Sequence, residues 1–124
     1  MEAKELRIGN WIKCTKNNCL NKKGDFIIDE YEMVKILEHG QQFLEPIPLT
    51  YEWLLKFGFE WCNEYDSYKK EAEEKTYYVT LWRSGFIELF IKENNFCSGT
   101  IPFKHVHQLQ NLYFALTGEE LKTK

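Results

Sequence analysis

Thr76-Tyr77-Tyr78-Val79-Thr80-Leu81-Trp82 and Phe86-Ile87-Glu88-Leu89-Phe90-Ile91 stand on either side of Arg83-Ser84-Gly85. β-Branched and aromatic residues fill both runs, and a short polar connection ending in glycine suits a tight reversal, so the stretch predicts a β-hairpin. The strand period of two sends Tyr78, Thr80 and Trp82 to one face and Tyr77, Val79 and Leu81 to the other. The second set is the more uniformly apolar. It is expected to face the core, leaving Tyr78 and Trp82 partly exposed.

Downstream, Asn94-Asn95 and Ser98-Gly99 supply turn chemistry. Val106, Leu109, Leu112, Tyr113 and Leu116 then recur at helical spacing with Gly118 just beyond, predicting a helix over 104–116. Upstream, Pro46 and Pro48 hold the chain extended. Thr50 stands as a helix N-cap, Trp53, Leu54 and Phe57 share one face, and Gly58 is placed to end a short helix over 51–57. Near the start, Gly9-Asn10 marks a turn before a strand opening at Trp11-Ile12. Polar 15–25 reads as a loop, and Phe26, Ile27, Ile28, Tyr31, Val34 and Ile36 read as one or two strands over 26–37. A short strand is expected at 42–44 after Gly40. These elements predict a single α+β domain over 1–124, a small antiparallel sheet or partly open barrel closed by two helices.

The chain has 124 residues, 44% hydrophobic and 16% aromatic, which is enough to fill one continuous core. Its net charge of −3 disfavours broad attraction to nucleic acid or to anionic membrane. Arg7 and Arg83 are the only arginines, so the planar fork that reads guanine edges or clamps phosphate is scarce. The opening Met1-Glu2-Ala3-Lys4-Glu5-Leu6 lacks an apolar export region, and no apolar run approaches the roughly 20 residues that cross a bilayer. A cytoplasmic protein with no membrane partner is the expectation. Cys14, Cys19, Cys62 and Cys97 are expected to be reduced thiols.

Candidate chemistry is sparse. Zinc needs four converging ligands, usually from paired close spacings. Cys14 and Cys19 are loosely spaced, Cys62 and Cys97 are isolated, and His105 and His107 fall roughly 200° apart on the predicted helix. No metal site is expected. Ser67, Ser84 and Ser98 lie in polar turn contexts without a nucleophile elbow, and His107 reads as a helix-surface residue beside Asn111. The glycines are scattered singly, giving no phosphate loop and no cofactor site. Adjacent acids at Glu73-Glu74 and Glu119-Glu120 read as solvated surface. The expectation is a non-enzymatic protein.

The segment 60–75 carries six acids against three lysines, so its local charge of −3 equals that of the whole chain. It reads as a mobile loop or solvated helix between strands. Trp61, Tyr65 and Tyr68 are interspersed with Glu60, Glu64, Asp66, Glu71, Glu73 and Glu74. Such a surface offers rings as anchors and carboxylates for a basic groove on a partner protein. These nine residues are the candidate partner-binding set. The alternative is an accessory domain binding single-stranded nucleic acid, in which Tyr78, Trp82 and nearby lysines stack and pair with bases and phosphates.

Three blocks carry a resemblance: Glu5-Leu6-Arg7-Ile8-Gly9-Asn10-Trp11, then Glu45-Pro46-Ile47-Pro48-Leu49-Thr50-Tyr51-Glu52-Trp53-Leu54-Leu55-Lys56-Phe57-Gly58-Phe59, then Val106-His107-Gln108-Leu109-Gln110-Asn111-Leu112-Tyr113-Phe114-Ala115-Leu116-Thr117-Gly118-Glu119-Glu120-Leu121. They resemble a family of small proteins carried by phages and mobile elements of Bacteroidetes bacteria. The matching residues are caps, prolines and core positions, so the resemblance speaks to fold. By analogy with anti-CRISPR proteins it implies evasion of host defence: direct binding and inhibition of a host RNA-guided nuclease, a CRISPR effector or its RNA complex.

Overall fold

A computed structural model of the chain describes residues 6–14, 24–39 and 44–123. Among them are three helices and nine strands, all paired antiparallel in two open sheets, so the fold is α+β. Backbone contacts group the chain into two compact units, residues 1–48 with 105–120 and residues 49–104 with 121–124.

In the first unit a three-stranded sheet has the order β2-β1-β3, with β1 Trp11–Cys14, β2 Gly24–Ile27 and β3 Leu44–Glu45. Ile12 lies opposite Phe26, and Cys14 opposite both Gly24 and Leu44. Leu6, Ile12, Cys14, Phe26, Ile28, Ile36 and Leu44 form the core, with Met33 against it. Helix α1 spans Glu30–His39, where strands were expected. The reason lies just ahead of it. The Asp29 carboxylate accepts from the Glu32 amide at 2.7 Å, and the Glu32 carboxylate accepts from the Asp29 amide at 3.2 Å. This reciprocal cap satisfies two donors that a helix start leaves open, and it outweighs the β-branched residues that follow.

Helix α3, Val106–Thr117, ends at Gly118, whose φ of 76° is the left-handed conformation predicted for it. Val106, His107, Leu109, Gln110 and Tyr113 are buried on it. His107 is 1% exposed, which corrects its reading as a surface residue. The buried arc is wide enough to take in position 107 as well as 106 and 110. His105 precedes the helix in extended backbone, so the two imidazoles stack with centroids 6.0 Å apart; the opposed placement expected of two helical residues does not arise.

A polar clasp ties α3 to the opening turn. The Arg7 guanidinium donates to Asn111 Oδ1 at 2.7 Å, to Glu120 at 2.5 Å and to the Gln110 carbonyl at 3.3 Å, and it lies 4.4 Å from the Phe114 ring centre. Fully buried Asn10 accepts from the Arg7 amide and donates to Asn111 Oδ1. Gln110 accepts from the Trp11 amide and donates to the Gly9 carbonyl.

The second unit opens with α2, Tyr51–Lys56. Thr50 precedes it in extended backbone, as predicted for a cap, but its side chain makes no capping bond. Gly58 at φ 90° ends the helix, with its amide on the Leu55 carbonyl and the Phe59 amide on the Leu54 carbonyl, which satisfies two terminal acceptors. Trp53, Leu54, Phe57 and Phe59 are buried.

The larger sheet runs β4-β5-β6-β7-β8, with β9 also on β7. Its strands are Glu60–Cys62, Ser67–Ala72, Lys75–Leu81, Ile87–Glu93, Phe96–Cys97 and Ile101–Phe103. The β6–β7 hairpin is the predicted one. Its register pairs Tyr78 with Phe90 and Leu81 with Ile87, and Gly85 in the three-residue loop has φ 92°. Beyond β8 the Ser98 hydroxyl accepts from the Ile91 amide at 2.9 Å, filling the place in the ladder before β9 begins. Strands β4 and β5 occupy the segment expected to be a loop or solvated helix, so that expectation is corrected. The sequence Ser67–Ala72 has no clear alternation; its pairing with β6 and with β4 makes it a strand.

The partly open barrel is not formed, and α1 adds a helix to the two expected. Cys14 is disulfide-bonded, which corrects the reduced state expected for it, whereas Cys62 and Cys97 are free. Of the expected 15–25 loop, 15–23 lie outside the described residues and Gly24 and Asp25 belong to β2; most of the expected 42–44 strand also lies outside them.

Candidate partner-binding hairpin

Directly paired residues of an antiparallel sheet share a face, so the register of the second unit sorts its side chains. One face carries Tyr77, Val79, Ile87, Leu89 and Phe103, all buried, and at its margin Trp61 opposite Tyr68. The other carries Glu60, Cys62, Lys69, Thr76, Tyr78, Thr80, Glu88, Phe90 and Lys92.

The β4–β5 hairpin turns through 63–66, with Asp66 at φ 49°. Trp61 is 50% exposed on the edge strand β4, yet its ring is fixed. Tyr68 meets it edge-on with centroids 5.1 Å apart, and its indole N–H donates to Asn63 Oδ1 at 2.7 Å. Tyr65 folds back over the opposite face onto Tyr78 and Phe90, at 4.9 and 5.8 Å, and those two rings stack at 4.7 Å. Ser67, buried under this turn, bonds the Tyr65 carbonyl and meets the Thr80 hydroxyl at 2.7 Å.

Tyr78 is therefore buried at 6% exposure, against the partial exposure expected of it, while Trp82 is exposed as expected. Burial pushes the Tyr78 phenol above its ordinary value, with smaller upward contributions from Cys62, Tyr65 and Glu64 against a lowering by Lys92. Burial likewise raises Tyr77, helped by Glu73 and Glu93. Lys92 donates to the Tyr65 hydroxyl at 2.7 Å, and that bond raises its ammonium above the ordinary lysine value.

The nine candidate residues do not form one lobe. Glu64, Tyr65 and Asp66 lie in the turn before β5, whereas Glu73 and Glu74 lie in the turn after it, roughly 20 Å away at the usual rise per strand residue. Glu60 stands opposite Lys69 and Glu71 opposite Thr76 between the two turns. Trp61, Glu60, Glu64 and Asp66 are thus the exposed members that lie in β4 and the turn after it. Tyr65 and Tyr68 are its half-buried braces. Trp82, Phe86 and Glu88 were missed as a group, although the exposed parity of the β6–β7 hairpin, the reading that already set Trp82 outward, could have pointed to them.

Among the described residues no group of three or more His, Cys, Asp or Glu is arranged to hold a metal ion, and no helix is long and apolar enough to cross a membrane. No family model, no curated protein and no solved structure matches this chain.

Proposed function

We propose that the chain is a non-catalytic binding module that grips a basic surface on a partner protein through the β4–β5 hairpin. The observation that carries this reading is the held state of Trp61: half in water, yet locked by Tyr68 and Asn63. A large ring fixed before contact loses little side-chain freedom on burial, which is the character of an interface hot spot. Glu64 and Asp66 in the adjoining turn, with Glu60 on the opposite face of β4, add exposed carboxylates that favour a cationic partner. The finer form of the proposal, inhibition of an RNA-guided nuclease of a bacterial host, draws its support from the sequence resemblance. The single-stranded nucleic-acid alternative loses support from the burial of Tyr78, one of its two stacking rings.

The test is capture of a partner from bacterial lysate by the intact chain, identification by mass spectrometry, and affinity measurement with the purified partner. Trp61→Ala weakens binding at least about tenfold. Neutralising Glu64 and Asp66 slows association and flattens its salt dependence, whereas neutralising Glu73 and Glu74 at the far turn has the smaller effect. Unchanged affinity in Trp61→Ala overturns the reading.

A further inference from the structure

The β6–β7 hairpin bears a second feature at the end of the sheet that holds Glu64 and Asp66. The Trp82 amide bonds the Phe86 carbonyl at 2.9 Å, placing these two residues opposite each other just before the loop. Their rings are 54% and 50% exposed. One step inward on the same face stands Glu88, opposite Thr80. The Trp82 indole N–H donates to Glu88 Oε1 at 3.1 Å. That bond sets the plane of the indole and holds a carboxylate at its edge, leaving Oε2 for another donor.

We propose that Trp82 and Glu88 form an acceptor for an arginine side chain of a partner protein, deepening the reading that the chain binds a basic protein surface. The chemistry selects the ligand. A guanidinium is planar, weakly hydrated and always charged, so it lies flat on an indole while its N–H edge meets a carboxylate in the same plane. A lysine ammonium satisfies the carboxylate but has no plane to stack. An apolar side chain desolvates the Glu88 carboxylate without an opposite charge, which is costly. Phosphate is repelled by Glu88 together with Glu64 and Asp66 at this end, where Arg83 in the loop and Lys104 just beyond β9 carry the opposing charge.

The experiment is an NMR titration of the intact chain with an oligoarginine peptide, its uncharged oligocitrulline counterpart and oligolysine. The arginine peptide moves the Trp82 indole N–H resonance saturably, the citrulline peptide does not, and oligolysine binds at least about fivefold more weakly. Glu88→Gln keeps an amide oxygen for the indole N–H and so preserves the local structure, yet it weakens arginine binding about tenfold, the loss of one close charge pair. A static Trp82 resonance while peaks near Glu71, Glu73 and Glu74 move, or undiminished binding by Glu88→Gln, overturns the proposal. Because this titration needs no natural partner, its failure removes the arginine acceptor alone. Full capture by Trp61→Ala removes the β4–β5 hairpin reading alone.

Discussion

Replacing Leu89 with alanine asks which face of the larger sheet is inside. Leu89 is 0% exposed on β7, between Val79 on one neighbour and Ile101 on the other. The substitution removes three buried carbons, about 2–2.5 kcal/mol of transfer free energy at ~0.8 kcal/mol per methylene. Close packing by paired strands limits collapse into the vacancy, and the cavity raises the total to about 3–4 kcal/mol. With a urea dependence of about 2 kcal/mol per molar, the unfolding midpoint falls by about 1.5–2 M. Urea titration followed by far-ultraviolet circular dichroism and by tryptophan fluorescence measures it. Phe96→Ala, at a position 71% exposed, is the control and costs under about 0.5 kcal/mol. A Leu89→Ala loss below about 1 kcal/mol refutes the face assignment. The exposed position of Trp82 and Glu88 would fall with it, since their parity follows from that of Leu89.

Two further outcomes follow from the geometry. Tyr77 and Tyr78 have folded pKa values above those of the unfolded chain, so their contribution to stability is intact below about pH 10 and is lost as pH rises through the folded values. A tyrosinate absorbance titration of the native protein shows part of the phenol signal appearing at higher pH than in the urea-unfolded chain, and coincidence of the two titrations contradicts the burial of Tyr77 and Tyr78. Asn10→Ala removes two hydrogen bonds at a site 0% exposed and costs about 1–3 kcal/mol in thermal or urea unfolding; a loss within about 0.5 kcal/mol would show that the clasp around Arg7 is held by other bonds.

Where local signals act alone, the fold was readable in the residues. Arg83-Ser84-Gly85 between two β-rich runs and Gly118 after a helical stripe each specify a backbone path that no distant contact needs to complete. Helix α1 was readable too, but through a different signal: Asp29-x-x-Glu32 is a capping pattern, and Tyr31, Val34 and Leu37 keep a spacing of three. Attention to β-branched composition hid it. The segment 60–75 was harder to read because the turn at 73–74 between β5 and β6 places Glu73 at φ 58° without glycine or asparagine, a conformation closed by the pairing of Ala72 with Lys75. Its candidate residues were therefore correctly gathered as a segment and wrongly gathered as a surface. Sequence proximity put Glu64 beside Glu73, while an intervening strand sets them at opposite ends. The burial of His107 was beyond helical periodicity, since the width of the covered arc depends on what packs against it.

The way the larger sheet ends bears on how the protein behaves in bulk. Strand β4 has three residues with Glu60 among them, and the opposite margin is divided into β8 and β9, with Pro102 lacking an amide hydrogen. Neither border gives a long, flat template, so fibril-like stacking of copies finds little purchase. This sheet can hold Trp61 and Trp82 out into water without offering copies of the chain a long edge on which to add strands.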